Sequence, residues 1–189
     1  MTIPQPAQLL LDFVNTIDVE PGTDALGTTS DLITWLRQNG LLNDPAAVHD
    51  DDLRAALKLR TQLRSAMTRH HESAPDEEAH PSMKGTDTET LRFDLHVNLH
   101  DGGAQLVPAG KGVRAALARI AAAVVAANAD GTWSRLKICP ATDCQWAFVD
   151  RSKNASRTWC SMRVCGNRRK TRAYRGRQRA AQEPAPSHP

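Results

Sequence analysis

Aromatic side chains are scarce in this sequence: among 189 residues there are four Trp, three Phe and one Tyr. Alanine and leucine are plentiful instead, and that balance favours helices over strands in the body of the protein. Long apolar runs are missing too. The longest, Ile120–Ala127, is far too short to cross a bilayer. The N-terminal "MTIPQPAQ" has no Lys or Arg ahead of its apolar stretch and so makes a poor secretory signal. A soluble, cytoplasmic protein without a membrane partner is expected, in a compartment where disulfides are disfavoured. Enzyme signatures are absent as well. There is no phosphate-binding glycine loop, nucleophile elbow, zinc-protease motif, paired acid and base or activated nucleophile, so catalysis is not expected.

The charge balance is uneven along the chain. The net charge is +3, but Trp133–Pro189 holds thirteen Lys/Arg against three Asp/Glu, while Met1–Thr132 holds eleven against eighteen. An acidic body joined to a basic end points to a division of labour. The change falls near Asp130-Gly131-Thr132, which divides the chain into a body (1–132), a basic module (133–180) and a tail (181–189) without packing residues.

Within the body, "AQLLLDFVNTI" (Ala7–Ile17) reads as a buried first helix, and "VEPGTDALGTT" as a loop. Ser30-Asp31 caps a second helix that ends at Gly40. A long helix over Asp51–His71 repeats Leu53, Leu57, Leu63 and Met67, with acids at its N-terminus. "ESAPDEEAHPSMKGTDTET" is an exposed polar loop. "LRFDLHVNLH" alternates as a strand with Leu91, Phe93, Leu95, Val97 and Leu99 on one face; "DGG" turns the chain and "AQLVP" returns. His96, Asn98 and His100 share the other face, read as solvated rather than metal-binding. A helix from Val113 to Asp130 completes an α+β body, mainly helical with a small antiparallel sheet.

All four cysteines lie in the basic module: Cys139 and Cys144, fifteen residues, then Cys160 and Cys165. Two close pairs separated by a hairpin-sized segment suit a tetrahedral zinc ion. A disulfide framework would need an oxidising compartment. A redox pair and an iron–sulfur cluster are the other chemistries such thiols allow. The module's large apolar residues are few, so one structural zinc, worth roughly 10–16 kcal/mol in small zinc modules, would decide whether it folds. The expected form is a β-hairpin followed by a basic helix.

The stretch from Leu136 to Arg177 resembles the CGNR zinc finger, named for Cys165-Gly166-Asn167-Arg168. The likeness covers the cysteine spacing, "F-x-D-x-S" at Phe148–Ser152, "R-x-W-C-S-M" at Arg157–Met162 and "Y-R" at Tyr174-Arg175. The N-terminal part is similar to the ABATE domain of stress-induced transcription regulators, through "FVNTID" at Phe13–Asp18, "DLITWLRQNGLL" at Asp31–Leu42 and "LKLRTQLRSAM" at Leu57–Met67. The resemblance implies a bacterial DNA-binding regulator.

Ser161 is a suitable N-cap for the final helix, with the regular turns starting near Asn167 once Gly166 has relaxed the backbone. Arg168, Arg172, Arg175 and Arg179 then form one stripe, flanked by Asn167, Arg169, Lys170 and Tyr174; together these are the candidate nucleic-acid contacts. Nucleic acid is the expected partner, DNA ahead of RNA on the strength of the resemblance; an RNA-binding or protein-interaction module is the alternative. In the body, Asn15, Thr16, Trp35 and Arg60 could line a pocket for a small anionic effector, or Arg60 could simply anchor the Asn15 turn. A homodimer is left open.

Overall fold

The structure is a computed structural model that describes residues 3–43, 45, 47–71 and 90–182. The polar loop expected after Glu72 and most of the expected tail lie outside the described residues.

Helix α1 (Gln5–Val14) buries Ala7, Leu10, Leu11, Phe13 and Val14. It stops three residues before the expected Ile17, because the Thr16 hydroxyl donates back to the Phe13 carbonyl at 2.7 Å. Asn15 and Thr16 therefore end the helix rather than interrupt it. The segment read as a loop holds a small hairpin, β1 (Ile17–Asp18) with β2 (Thr23–Asp24), turned at Gly22 with φ +72°. Helix α2 (Thr29–Gln38) starts two residues earlier than expected. Thr28, not Ser30, is the cap: Asp31 N donates to Thr28 Oγ1 at 3.1 Å, and Thr28 N to Asp31 Oδ2 at 2.9 Å. Helix α3 (Asp50–Arg69) buries Ala56, Leu59, Arg60, Leu63 and Met67 along one helical face.

Strands β3 (Leu95–His100) and β4 (Gly103–Pro108) pair as the expected antiparallel hairpin. The pairing is as expected, but the strand begins at Leu95 rather than Leu91 and its apolar face is uncovered: Val97 is 63% and Leu99 76% exposed, while Leu91 and Phe93, which precede the strand, pack on the core. The hairpin is a lone two-stranded ribbon whose outer half extends past the helices. Its alternation encodes pairing without a layer to cover one face. Among the described residues the strands form three separate two-stranded hairpins, two in the body and one, as expected, in the basic module.

Helix α4 (Gly112–Ala129) is apolar and long enough to cross a membrane by composition alone. Here Ala116, Leu117, Ile120 and Ala127 are buried against α1, α2 and α3, as in the core helix of a soluble fold. It ends before Gly131, whose φ of +76° stops the helix.

The third hairpin, β5 (Leu136–Ile138) with β6 (Ala147–Val149), belongs to the basic module. Its Leu136, Ile138 and Ala147 nevertheless join the same buried cluster as α1, α3 and α4. The change of charge at Asp130–Thr132 is thus not a break in the core.

Candidate metal centre and basic helix

The four cysteines converge. Their Sγ atoms all lie within 4.8 Å of one another, with Cys144–Cys160 and Cys160–Cys165 both at 3.6 Å. A disulfide would place sulfurs about 2.05 Å apart. Four thiolates around one zinc at about 2.3 Å lie about 3.8 Å from each other by tetrahedral geometry. The separations fit the second arrangement. Cys139, Cys144 and Cys165 are buried and Cys160 half-buried, with Phe148 and Trp159 packed around them. Burial, with the neighbouring cysteines, raises the Cys160 thiol well above its ordinary value and pushes Cys165 up to about 11. Thiols crowded in this way ionise only with a cation among them, which is what a zinc ion supplies. The cluster is consistent with one structural zinc.

The loop between the two cysteine pairs is built on a buried ion pair. Asp150 is fully buried and Lys137 nearly so, with Lys137 Nζ 2.8 Å from Asp150 Oδ2. Asp150 also accepts hydrogen bonds from Arg157 N at 2.8 Å, Ser152 N at 2.9 Å and Ser152 Oγ at 2.6 Å. Burial alone would raise its pKa, but these donors, Lys137 foremost, hold it at about 2. Arg135 donates to the Asp150 and Ser152 carbonyls. Arg157 lies over the Phe148 ring, 5.0 Å from its centre, and donates to the Trp159 and Cys160 carbonyls. The loop thereby delivers Cys160 to the first pair.

After Cys160 the backbone makes one wide π-type turn, Met162–Gly166, before helix α5 (Asn167–Gln182). Ser161 caps it as expected, accepting from Val164 N at 3.3 Å, while Cys165 N and Gly166 N both donate to the Ser161 carbonyl. The turn sets Cys165 facing the other sulfurs. A side chain at Gly166 would run into Met162 and Trp159.

The first two arginines of the stripe are engaged by the protein itself. Arg168 Nη1 and Arg172 Nη2 each lie 2.8 Å from Asp143 Oδ2, and Arg168 Nη2 lies 3.0 Å from Glu20 Oε1. Asp143 belongs to the first cysteine knuckle and Glu20 to the β1–β2 turn. The Arg168 guanidinium, with Arg172 adding to it, holds Asp143 below the usual carboxylate range, and the two acids raise Arg168 in return. Asn167, Arg169, Lys170, Tyr174 and Arg175 are exposed along the helix; the Arg179 side chain lies outside the described residues.

The module is seated on the body by polar contacts. Asn15 and Ala147 exchange two hydrogen bonds, Nδ2 to the carbonyl at 3.0 Å and N to Oδ1 at 2.8 Å. Arg64 donates to the Val14 and Gln145 carbonyls, both at 2.9 Å. At the end of α3, His70 Nδ1 meets the Leu136 carbonyl at 2.7 Å and His71 Nε2 the Ile138 carbonyl at 2.6 Å. Both imidazoles are half-buried, and desolvation depresses both. Both imidazoles thus serve as docking groups between the end of α3 and β5.

Of the four residues considered for an effector pocket, the structure brings Arg60 and Thr16 together and turns Asn15 and Trp35 to other partners. Arg60 is buried, donates to Thr16 Oγ1 at 2.9 Å and grips both Asp24 oxygens at 2.6 Å. That grip lowers the Asp24 pKa. Asn15 turns to Ala147, and Trp35 packs on Phe13 with ring centres 5.4 Å apart. His96 and His100 are exposed on their strand.

Sequence reasoning missed Asp24, Asp143, Glu20, Lys137 and Asp150. A signal for two of these was present. The module carries only two acidic residues, Asp143 and Asp150, and an isolated acid among thirteen cations is a natural ion-pair partner.

No curated protein matches the chain. The CGNR zinc finger model matches residues 135–178, which include all four cysteines. The ABATE model, described as "Putative stress-induced transcription regulator", matches residues 7–131, well over half of the chain, and implies a regulator rather than an enzyme. The chain belongs to the ABATE family and carries a CGNR zinc finger behind its ABATE domain.

Proposed function

We propose that the protein is a cytoplasmic DNA-binding regulator whose zinc-ordered module contacts duplex DNA while the helical body fixes the module in place. The division of the module's basic residues carries this reading. Arg135, Lys137, Arg157, Arg168 and Arg172 are spent on contacts within the protein. Arg151, Lys153, Arg163, Lys170, Arg175 and Arg177 are exposed, and their side chains have no partner among the described residues. Cations held on a rigid frame without internal partners suit phosphates.

Duplex DNA is favoured over RNA by shape. Helix α5 is a single rod about 24 Å long at 1.5 Å per residue. The major groove of B-DNA admits such a rod, whereas the deep, narrow groove of A-form RNA does not. Single-stranded RNA is usually held on several aromatic platforms, and Tyr174 is the only aromatic residue on α5. For the body, the Arg60–Asp24 grip supports an anchoring role at Arg60 rather than an effector site.

The test is anisotropy of labelled duplex DNA and hairpin RNA with the zinc-loaded full chain, from 50 to 200 mM salt. Six phosphate contacts give a slope of log affinity against log salt of about −5. A slope near zero, or no association with duplex DNA, overturns the reading. Tighter binding to the RNA would favour an RNA-binding module instead.

A further inference from the structure

The arginines of α5 that suit DNA best on paper are the ones the fold has fastened down. Arg168 and Arg172 both donate to the single oxygen Asp143 Oδ2, and Arg168 also to Glu20. They stand one turn apart on the same row of the helix. Lys170 sits two residues from each, which at 3.6 residues per turn places it about 160° around the axis from both. Clamping one row against the knuckle and the body leaves turned to solvent the row centred about 120° around the axis from it. That row runs Asn167, Lys170, Thr171, Tyr174 and Gln178, at i, i+3, i+4, i+7 and i+11. Lys170, Thr171, Tyr174 and Gln178 are all exposed, and α5 contains no acidic residue.

We propose that this outward row is the base-reading surface of the protein in the major groove of duplex DNA, and that Arg168 and Arg172 position it without touching the DNA. The proposal rests on the DNA-binding reading above. Its residue types are those whose groups match base edges: lysine to guanine O6 and N7, asparagine and glutamine to adenine N6 and N7, threonine to the thymine methyl. Two of them are already oriented. Gln178 Nε2 donates to Tyr174 Oη at 3.2 Å, which steadies the amide. The Thr171 hydroxyl donates back to the Asn167 carbonyl at 3.0 Å, which leaves its methyl as the free end. From Lys170 to Gln178 the helix rises about 12 Å, the length of three to four base pairs at 3.4 Å each. A recognition core of that size is therefore expected for one protein chain.

The experiment selects sequences from a duplex pool with a randomised twelve-base-pair centre, using the zinc-loaded full chain, and then compares the selected duplex with a scrambled one. The expected wild-type result is an enriched core of three to four base pairs. Lys170→Ala/Gln178→Ala should lower the preference for the selected duplex at least tenfold and leave the scrambled duplex within about threefold, the loss of one screened phosphate contact. Both positions are exposed helix sites, so zinc content and helicity should match wild type. Breaking the clamp frees the roll of α5, so Arg168→Gln/Arg172→Gln should lower the preference as well as weaken both duplexes. Asp143→Asn, or Glu20→Gln where that variant fails to fold, leaves both arginines in place and should lower the preference in the same direction. The proposal is overturned if Lys170→Ala/Gln178→Ala keeps the preference, if freeing the two arginines from their acids leaves the preference unchanged or raises it, or if wild type binds duplexes without enriching any sequence. A wild-type protein that binds no duplex refutes the DNA-binding reading itself.

Discussion

Asp150 and Lys137 form one ion pair, yet removing the acid should cost the protein more than removing the base. The difference follows from what each group keeps. In Lys137→Met, Asp150 retains Ser152 N, Ser152 Oγ and Arg157 N as donors. The variant loses the ion pair together with the ammonium's hydrogen bonds to the Ala155 and Arg157 carbonyls, but it leaves no buried cation and recovers some apolar packing, a net cost of about 2 kcal/mol. In Asp150→Ala, the buried ammonium is left with only the Ala155 and Arg157 carbonyls. An uncompensated buried charge costs about 3–5 kcal/mol, and the loop around Ser152 and Arg157 loses its acceptor as well. The depressed carboxyl supports the scale. A pKa held at about 2 instead of 3.8 corresponds to about 2 kcal/mol favouring the ionised form. Urea unfolding of the zinc-loaded chain, followed by tryptophan fluorescence and by zinc capture on a chromophoric chelator, measures both variants. If Lys137→Met costs as much as Asp150→Ala, or if both cost under about 1 kcal/mol, the pair is not the centre of the loop and the reasoning fails.

Two further outcomes follow from the site and its seat. Cys144→Ser should abolish stoichiometric zinc binding, and because Leu136, Ile138 and Ala147 share the body's core, limited proteolysis should show the body loosening along with the module; full zinc retention would refute the ligand assignment. His70 and His71 are depressed chiefly by desolvation, so the unfolded chain binds protons that the fold does not. Their docking contribution is complete above about pH 6.5 and declines as the pH falls below it. The melting-temperature gap between wild type and His70→Gln/His71→Gln should thus be widest at pH 7.5 and narrower at pH 5.5, and a gap that widens on acidification contradicts the sign.

Much of this was legible in the residues, for reasons that differ by region. Helices α3 and α4 announce themselves because leucine and alanine recur at the helical period and must be buried. The metal site is legible because its ligands are few, paired and placed in a module too poor in apolar residues to fold on packing alone. Pairing of β3 with β4 could be read from alternation and turn residues. Its exposure could not, since alternation says which residues share a face and not whether another layer covers that face. The same limit governed α5. The spacing of Arg168, Arg172 and Arg175 shows that they form a row; it says nothing about where the row points. That depends on Asp143, distant in sequence from Arg168 and brought to it only when the cysteines close.

The orientation of α5 rests on two fastenings of different kinds. Cys165 fixes where the helix begins, through the metal site and the π-type turn. Asp143 fixes which way it rolls, by receiving both Arg168 and Arg172 on one oxygen while its other oxygen, Oδ1, is buried without a hydrogen-bond partner. An acid serving two guanidiniums while leaving an oxygen unpaired is not optimised for stability alone, because an unsatisfied buried acceptor costs free energy. The arrangement makes sense as a positioning device. The first knuckle is tied to the body through β5 and β6, by Asn15, Arg64, His70 and His71. Asp143 sits in that knuckle, and Glu20 reaches Arg168 from the turn of the β1–β2 hairpin, whose β2 supplies Asp24 to Arg60. The body therefore holds the basic helix from two sides, once through the metal hairpin and once through Glu20. A change in how the β1–β2 turn sits on Arg60 would reach α5 through the second of these without disturbing the zinc site.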